Sequence, residues 1–103
     1  MTRAQILLGK FILELGLCSN LDLEYEYKFM PDRRFRFDLA IPEKRLGFEV
    51  CGGQWTGGHR HKSAIERDYE KLNLAQMSGW RCLYFTNEAV LDGTAKEFLR
   101  KWA

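Results

Sequence analysis

The sequence predicts a mixed α/β protein in which four strands form one sheet with helices on both faces. Two adjacent segments alternate apolar and polar residues as paired strands do, and a helical segment separates them from a later apolar strand. A strand that follows a crossover helix joins its neighbours in parallel, so we expect a mixed sheet. The 103 residues suffice for one core, so residues 1–103 are expected to form one domain.

The composition is that of an ordinary globular protein. Hydrophobic residues make up 46% and charged residues 29%, which argues against disorder. No apolar run approaches the roughly 20 residues of a membrane helix, and the first residues lack a signal-peptide pattern. Three cysteines are too few for a disulfide framework. We therefore expect a cytoplasmic protein without membrane contact.

The first elements are a helix and a strand. Thr2 and Gln5 have the spacing of a capping box, and apolar residues recur at helical intervals up to Gly16, which predicts a helix over about residues 3–15. Residues 24–29 alternate with period two and predict a strand, followed by a turn at residues 30–32.

A hairpin comes next, with strands at residues 35–41 and 45–51 and a short turn between them. The apolar faces match only if Ile41 lies opposite Leu46, Leu39 opposite Phe48 and Phe37 opposite Val50. This register places Phe35, Phe37, Leu39 and Ile41 on one face of the first strand.

The rest of the chain completes the order α-β-β-β-α-β and adds a C-terminal helix. A glycine-rich loop precedes a helix over about residues 63–78, which Gly79 ends. Its predicted apolar stripe consists of Ile65, Tyr69, Leu72 and Gln76. Residues 80–85 predict a buried central strand, and a helix broken near Gly93 covers about residues 87–102.

The hairpin register also places Asp38 opposite Glu49. Directly opposed side chains begin about 4.5 to 5.5 Å apart, where two carboxylates repel unless a cation or a shared proton joins them. Oxygen ligands on two strands suit Mg²⁺, which binds few protein groups besides its waters. The alternative is a surface acid pair with Arg36 or Arg45 as its counter-ion.

Basic residues flank this carboxylate pair in the sequence, although the formal net charge is only +2. A polyanion such as DNA is the partner that such an arrangement favours. The two basic clusters are Arg33, Arg34 and Arg36, and His59, Arg60, His61 and Lys62.

Four motifs occur in order over about half of the chain. They are Arg33-Arg34-Phe35-Arg36-Phe37-Asp38, then Glu49-Val50-Cys51-Gly52-Gly53, then Asp68 to Ala75, then Gly79 to Thr86. In this order they resemble the PD-(D/E)XK, or restriction-endonuclease-like, nucleases. The similarity is greatest to a small phage and bacterial branch related to very-short-patch repair and Holliday-junction-resolving endonucleases.

The resemblance implies a restriction-endonuclease-like core and a metal site. Asp38, Glu49 and the backbone carbonyl of Val50 would hold Mg²⁺ or Mn²⁺. Glu14 falls where many members carry a further acid that reaches the site through water; the alternative is an ordinary solvated helix residue.

Cys51 departs from the motif, which usually has lysine at this position. A thiol supplies no fixed cation for the phosphate. In the predicted register Arg36 lies opposite Cys51, where it would meet the phosphate or hold Asp38. Lys71 is the other candidate for supplying this positive charge. Alternatively, Lys71 forms an intrahelical ion pair with Asp68.

Three residues of the glycine-rich loop are further candidates. Gln54 would bind the attacking water or the scissile phosphate, or else stabilise the loop. His59 and His61 would act as acid or base or contact phosphate, or else remain solvated.

The expected function is that of a metal-dependent endonuclease that hydrolyses phosphodiester bonds in DNA. No base-reading helix is evident, so a structure-selective or nonspecific enzyme is expected. So small a protein would gain DNA-binding surface as a homodimer or as a subunit of a phage or repair complex, in a bacterial or phage-infected cell. The rival interpretations are a catalytically inactive nucleic-acid-binding module and a purely structural subunit.

Overall fold

A computed structural model describes residues 1–52 and 62–103. The sequence-based expectations for Gln54, His59, Arg60 and His61 lie outside these residues. The helices and strands, in chain order, are α1 (Arg3–Glu14), β1 (Glu24–Lys28), β2 (Arg36–Ile41), β3 (Leu46–Cys51), α2 (Lys62–Met77), β4 (Arg81–Thr86), α3 (Asn87–Leu91) and α4 (Thr94–Trp102).

The four strands form one mixed sheet in the order β1-β2-β3-β4. β2 pairs antiparallel with both β1 and β3, and β4 runs parallel to β3, as predicted. The prediction that β4 is central is wrong. Because β2 occupies one side of β3, the chain returning from α2 adds at the other side, and β4 becomes an edge strand with several half-exposed residues.

One face of the sheet is covered by α1, α3 and α4. The predicted capping box begins α1, with Thr2 accepting a hydrogen bond from the backbone of Gln5. The predicted break between the last two helices occurs at Gly93, which has a φ of 88°. None of the helices in the described ranges is long and apolar enough to span a membrane. The buried residues on this side form the main core: Ala4, Leu8, Ile12, Leu23, Leu39, Ile41, Leu46, Phe48, Val90, Ala95 and Leu99.

A second, smaller core lies on the other side of the sheet. It consists of Phe37, Ala40, Ala75 and Trp80, so the prediction that Phe37 shares a face with Leu39 and Ile41 is wrong. The Phe37 ring lies 5.2 Å from the ring of Trp80 and stacks at 4.3 Å on that of Phe29.

The reversal of faces originates at Glu26. Residues two apart in a regular strand point to the same side. Here the pair Tyr25–Leu39 packs on the main core, whereas the pair Tyr27–Phe37 packs on the second core. Glu26, between the two tyrosines, has a φ of 53°, which is uncommon for any residue except glycine. Both strands therefore change faces at the same level of the sheet, at the left-handed Glu26 in β1 and at Asp38 in β2.

The second core determines how α2 packs. Ala75 is fully buried on this helix, whereas Tyr69 is 63% exposed and Gln76 is also exposed, so the predicted stripe is wrong. The rings of Phe37 and Trp80 fill the space beneath the helix, and a small residue allows close approach. The predicted end of α2 at Gly79 is confirmed, with a φ of 84° and a hydrogen bond from its N–H to the carbonyl of Gln76.

Gly47 should be intolerant of a side chain. A Cβ atom at this position would lie 2.6 Å from the ring of Phe37, which cannot move away because it is packed in the second core. We expect Gly47→Ala to lower the free energy of unfolding by about 1 to 3 kcal/mol in denaturant titrations. Adding Phe37→Leu should cost less in this background than in the wild type. Unchanged stability of Gly47→Ala would contradict the packing of Phe37 over this glycine.

Candidate active site

The site lies where β2 and β3 separate. The predicted pairs Leu39–Phe48 and Ile41–Leu46 are confirmed. The ladder between these two strands ends at Leu39–Phe48, so the predicted pairing of Phe37 with Val50 and of Arg36 with Cys51 does not occur in the described hairpin. Cys51 instead pairs with Thr86 of β4.

Two carboxylates connect the strands beyond the end of the ladder. The Oε2 atom of Glu49 accepts a hydrogen bond from the backbone N–H of Asp38 at 3.3 Å. The Oδ2 atom of Asp38 accepts one from the backbone N–H of Val50 at 2.7 Å. Each carboxylate thus accepts a hydrogen bond that a peptide carbonyl accepts in a regular sheet, and the two acids are brought together beyond the end of the ladder.

Lys71 approaches the same carboxylates from α2. Its ammonium group forms an ion pair with Oε1 of Glu49, and it lies 5.9 Å from the centroid of the Phe37 ring. The side chains of Lys71 and Glu49 are only 18% and 11% exposed, so solvent screens this pair weakly. Burial lowers the pKa of Lys71, and the charge of Asp38 acts in the opposite direction.

These groups face one open cavity of about 490 Å³. Its lining contains acidic, basic, thiol and phenol groups on β2, β3, α2 and β4. The lining residues are Asp38, Glu49, Val50, Cys51, Gly52, Asp68, Lys71 and Tyr84.

Tyr84 and Asp68 line the cavity but were not assigned there from the sequence. Tyr84 lies opposite Glu49 in the parallel pair of β3 and β4, and burial raises its pKa. Burial also raises the pKa of the neighbouring Cys82, to about 12. The apolar run 80–85 gave no sign of a side chain in the site, because it had the pattern of a strand buried on both faces. Asp68 could have been assigned to the site from the sequence, because it lies three residues before Lys71 on one helix face.

Two predicted site residues lie outside the cavity lining. Glu14 is exposed on α1 and pairs with Lys96 of α4 at 2.8 Å. Arg36 is exposed and pairs in register with Lys28 of β1. Their roles at the site remain predictions.

Apart from Arg36, the members of the two predicted basic clusters that fall in the described ranges are Arg33, Arg34 and Lys62. Arg33 and Arg34 line a second cavity beside the start of β2. Lys62 begins α2, where it is exposed and lies 3.8 Å from Glu66.

The donor set of the first cavity fits a hard divalent cation. Mg²⁺ binds through one or two carboxylates and retains several waters, and Asp38 and Glu49 face a cavity large enough to hold them. No group of three or more histidine, cysteine, aspartate or glutamate side chains in residues 1–52 and 62–103 is arranged to hold a metal. A cation here would therefore depend on the two carboxylates, the Val50 carbonyl and water.

Comparison with known proteins identifies the fold. A scan against protein-family models gives no match, and a search of curated proteins gives no relative. The structure is similar to that of the homing endonuclease I-Bth0305I catalytic domain, with a TM-score of 0.71 and 17% sequence identity. The similarity covers 98% of this chain and 93% of that domain. The chain therefore has a nuclease-like fold, a four-stranded mixed sheet flanked by helices.

Proposed function

We propose that this protein is a metal-dependent endonuclease of the PD-(D/E)XK superfamily that hydrolyses phosphodiester bonds in DNA. The observation that carries the proposal is the meeting of Asp38, Glu49 and Lys71 at one cavity. The nuclease-like fold supports it, as does the order of the four sequence motifs, which favours the small phage and bacterial branch.

Asp38, Glu49 and the carbonyl of Val50 would hold Mg²⁺ or Mn²⁺. When bound, such an ion lowers the pKa of a coordinated water and stabilises negative charge on the phosphate. The hydrogen bonds from the backbone N–H groups of Asp38 and Val50 fix the two carboxylates before the ion arrives. A carboxylate has about four lone-pair positions, so these bonds leave oxygen positions for a metal.

Lys71 would supply the positive charge that the motif usually places at the position of Cys51. Its ammonium group already contacts the Glu49 carboxylate from α2. From this position it would orient the attacking water and offset the charge that develops on the phosphate. The reaction requires only that a positive charge lies near the phosphate, so a lysine on a helix can take the place of one on a strand.

DNA would be held by sequence-independent contacts to its backbone phosphates. Arg33, Arg34, Arg36 and Lys62 belong to the described surface, and Gln54, His59, Arg60 and His61 would add contacts from the loop. With no base-reading helix, we expect a structure-selective or nonspecific enzyme. A homodimer or a larger repair or phage complex in the cytoplasm would complete the DNA-binding surface.

A catalytically inactive nucleic-acid-binding module is the second candidate. The observation that favours it is the ion pair between Lys71 and Glu49, because an internal cation can neutralise the carboxylates without any metal. The experiments below separate the two functions.

Removing either carboxylate should stop DNA cleavage. We expect Asp38→Asn and Glu49→Gln each to lower the cleavage rate by about 10³-fold or more, because each removes a charged metal ligand. Glu43→Gln is the matched control, since Glu43 is an exposed acid in the turn at the far end of the same hairpin. The rates are measured on linear, branched and single-stranded DNA. Metal-dependent cleavage that survives both changes would contradict the site.

Cleavage should also depend on the cation itself. We expect a chelator to abolish cleavage and added Mg²⁺ or Mn²⁺ to restore it. Titration calorimetry should show Mn²⁺ binding by the wild type and its loss in Asp38→Asn. A wild type that binds DNA but cleaves none of these substrates would support the inactive module instead.

Lys71→Met should lower the cleavage rate by about 10² to 10³-fold, the usual effect of losing one group that stabilises developing charge. DNA affinity should change little, because Lys71 is mostly buried. Lys10→Met is the matched control, because Lys10 is an exposed lysine on α1, which packs against the opposite face of the sheet. Adding Cys51→Lys to Lys71→Met should restore part of the rate by returning a cation to the motif position. Lys71→Met with wild-type activity would remove Lys71 from the proposed mechanism.

A further inference from the structure

Two arginines converge on one buried aromatic ring outside the active-site cavity. Phe35 immediately precedes β2 and is only 7% exposed. The guanidinium carbon of Arg33 lies 4.9 Å from the centroid of its ring, and that of Arg67, on α2, lies 5.6 Å from it. A guanidinium that packs on an aromatic ring is held in place, while its N–H groups remain able to donate.

The surroundings of this ring carry an excess of positive charge. Arg33 forms an ion pair with Glu70 at 2.5 Å, which fixes one guanidinium further. The adjoining cavity, of about 380 Å³, is lined by three arginines and two acids, namely Asp32, Arg33, Arg34, Phe35, Arg67 and Glu70. Guanidinium groups repel one another, and an anion bound between them relieves this repulsion.

A similar contact between a cation and an aromatic ring occurs beside the active-site cavity. Lys71 lies 5.9 Å from the ring of Phe37, much as Arg67 lies over Phe35. Arg67 and Lys71 are four residues apart on α2, so they share a face with about 6 Å between them along the helix axis. This spacing corresponds to about one or two nucleotides, since one DNA strand rises about 3.4 Å per nucleotide.

We propose that Arg33 and Arg67, held on Phe35, form a phosphate-binding subsite for the DNA strand whose scissile phosphate occupies the adjacent cavity. The proposal rests on the proposed function for the identity of its ligand, a nucleic-acid backbone. Arg67 thereby acquires a role that the sequence motifs do not indicate. The subsite would position the strand so that a phosphate one or two nucleotides away lies at Asp38 and Glu49.

Binding measurements test the subsite without requiring cleavage. The affinity of a short duplex of fixed length is measured by fluorescence anisotropy at several salt concentrations without divalent cations. We expect the double variant Arg33→Gln/Arg67→Gln to reduce the slope of log K against log salt by about 0.9, the value for one phosphate contact. Each single variant should reduce the slope by less, because the remaining arginine still contacts the shared phosphate.

The matched control is Arg3→Gln, an exposed arginine on α1, which packs against the opposite face of the sheet. Its salt slope should equal that of the wild type. Unchanged slopes in Arg33→Gln and Arg67→Gln would overturn the subsite. A double variant that reduces the slope by about 1.8, the value for two phosphate contacts, would overturn the sharing of one phosphate. Denaturant titrations of all variants exclude an effect of unfolding.

Neutral methylphosphonate linkages test the position of the subsite. In the wild type, one neutral linkage should suppress cleavage at the bond one or two nucleotides to one side. In the double variant Arg33→Gln/Arg67→Gln this suppression should largely disappear, and its full persistence would overturn the assignment. A wild type that binds DNA with the expected arginine dependence but never cleaves it would retain the subsite and refute the proposed nuclease. A wild type that binds no DNA would refute both.

Discussion

The separation of β2 from β3 at Asp38 and Glu49 is the constraint on which the rest of the structure depends. At this point the peptide carbonyls cease to pair the two strands, and the carboxylates of Asp38 and Glu49 accept the backbone hydrogen bonds instead. Burying a carboxylate costs free energy of folding unless charged or polar groups surround it. The N–H groups of Asp38 and Val50 and the ammonium group of Lys71 meet this requirement.

The same region of the sheet creates the second core. The left-handed conformation of Glu26 lies beside Asp38 in the β1–β2 pair and turns Tyr27 and Phe37 toward α2. Their rings then support this helix through Ala75, four residues after Lys71. The helix is thus held at the distance at which Lys71 reaches Glu49. One distortion of the backbone therefore aligns the acids, the supporting rings and the cation.

The position of α2 also joins the proposed chemistry to the proposed DNA contacts. This helix directs Lys71 toward the carboxylates and Arg67 toward Phe35, one turn apart. Phe35, which immediately precedes β2, and Phe37, in β2, lie beneath these two cations. Positive charge is therefore held at fixed intervals by aromatic packing, which reduces the entropy lost when a polyanion binds. A surface of freely moving lysines lacks this advantage.

Local rules were sufficient for part of this structure. The capping box at Thr2, the helix ends at Gly79 and Gly93, and the inner hairpin register each depend on residues close in sequence. The nearness of Asp38 and Glu49 was expected from that register, although the ladder ends just before them, and Lys71 was among the residues considered for the missing charge.

The sequence by itself determined the order of elements, the hairpin and the two acids, because capping, alternation and register are properties of short segments. Only the tertiary structure decided the reversal of faces at Glu26, the edge position of β4 and the face that α2 buries. The left-handed conformation of Glu26 has no signature in the local sequence, because glutamate rarely adopts it. The positions of Tyr84 at the cavity and of Phe37 in the second core likewise depend on which strands and helices lie against them, and segments distant in the chain determine that.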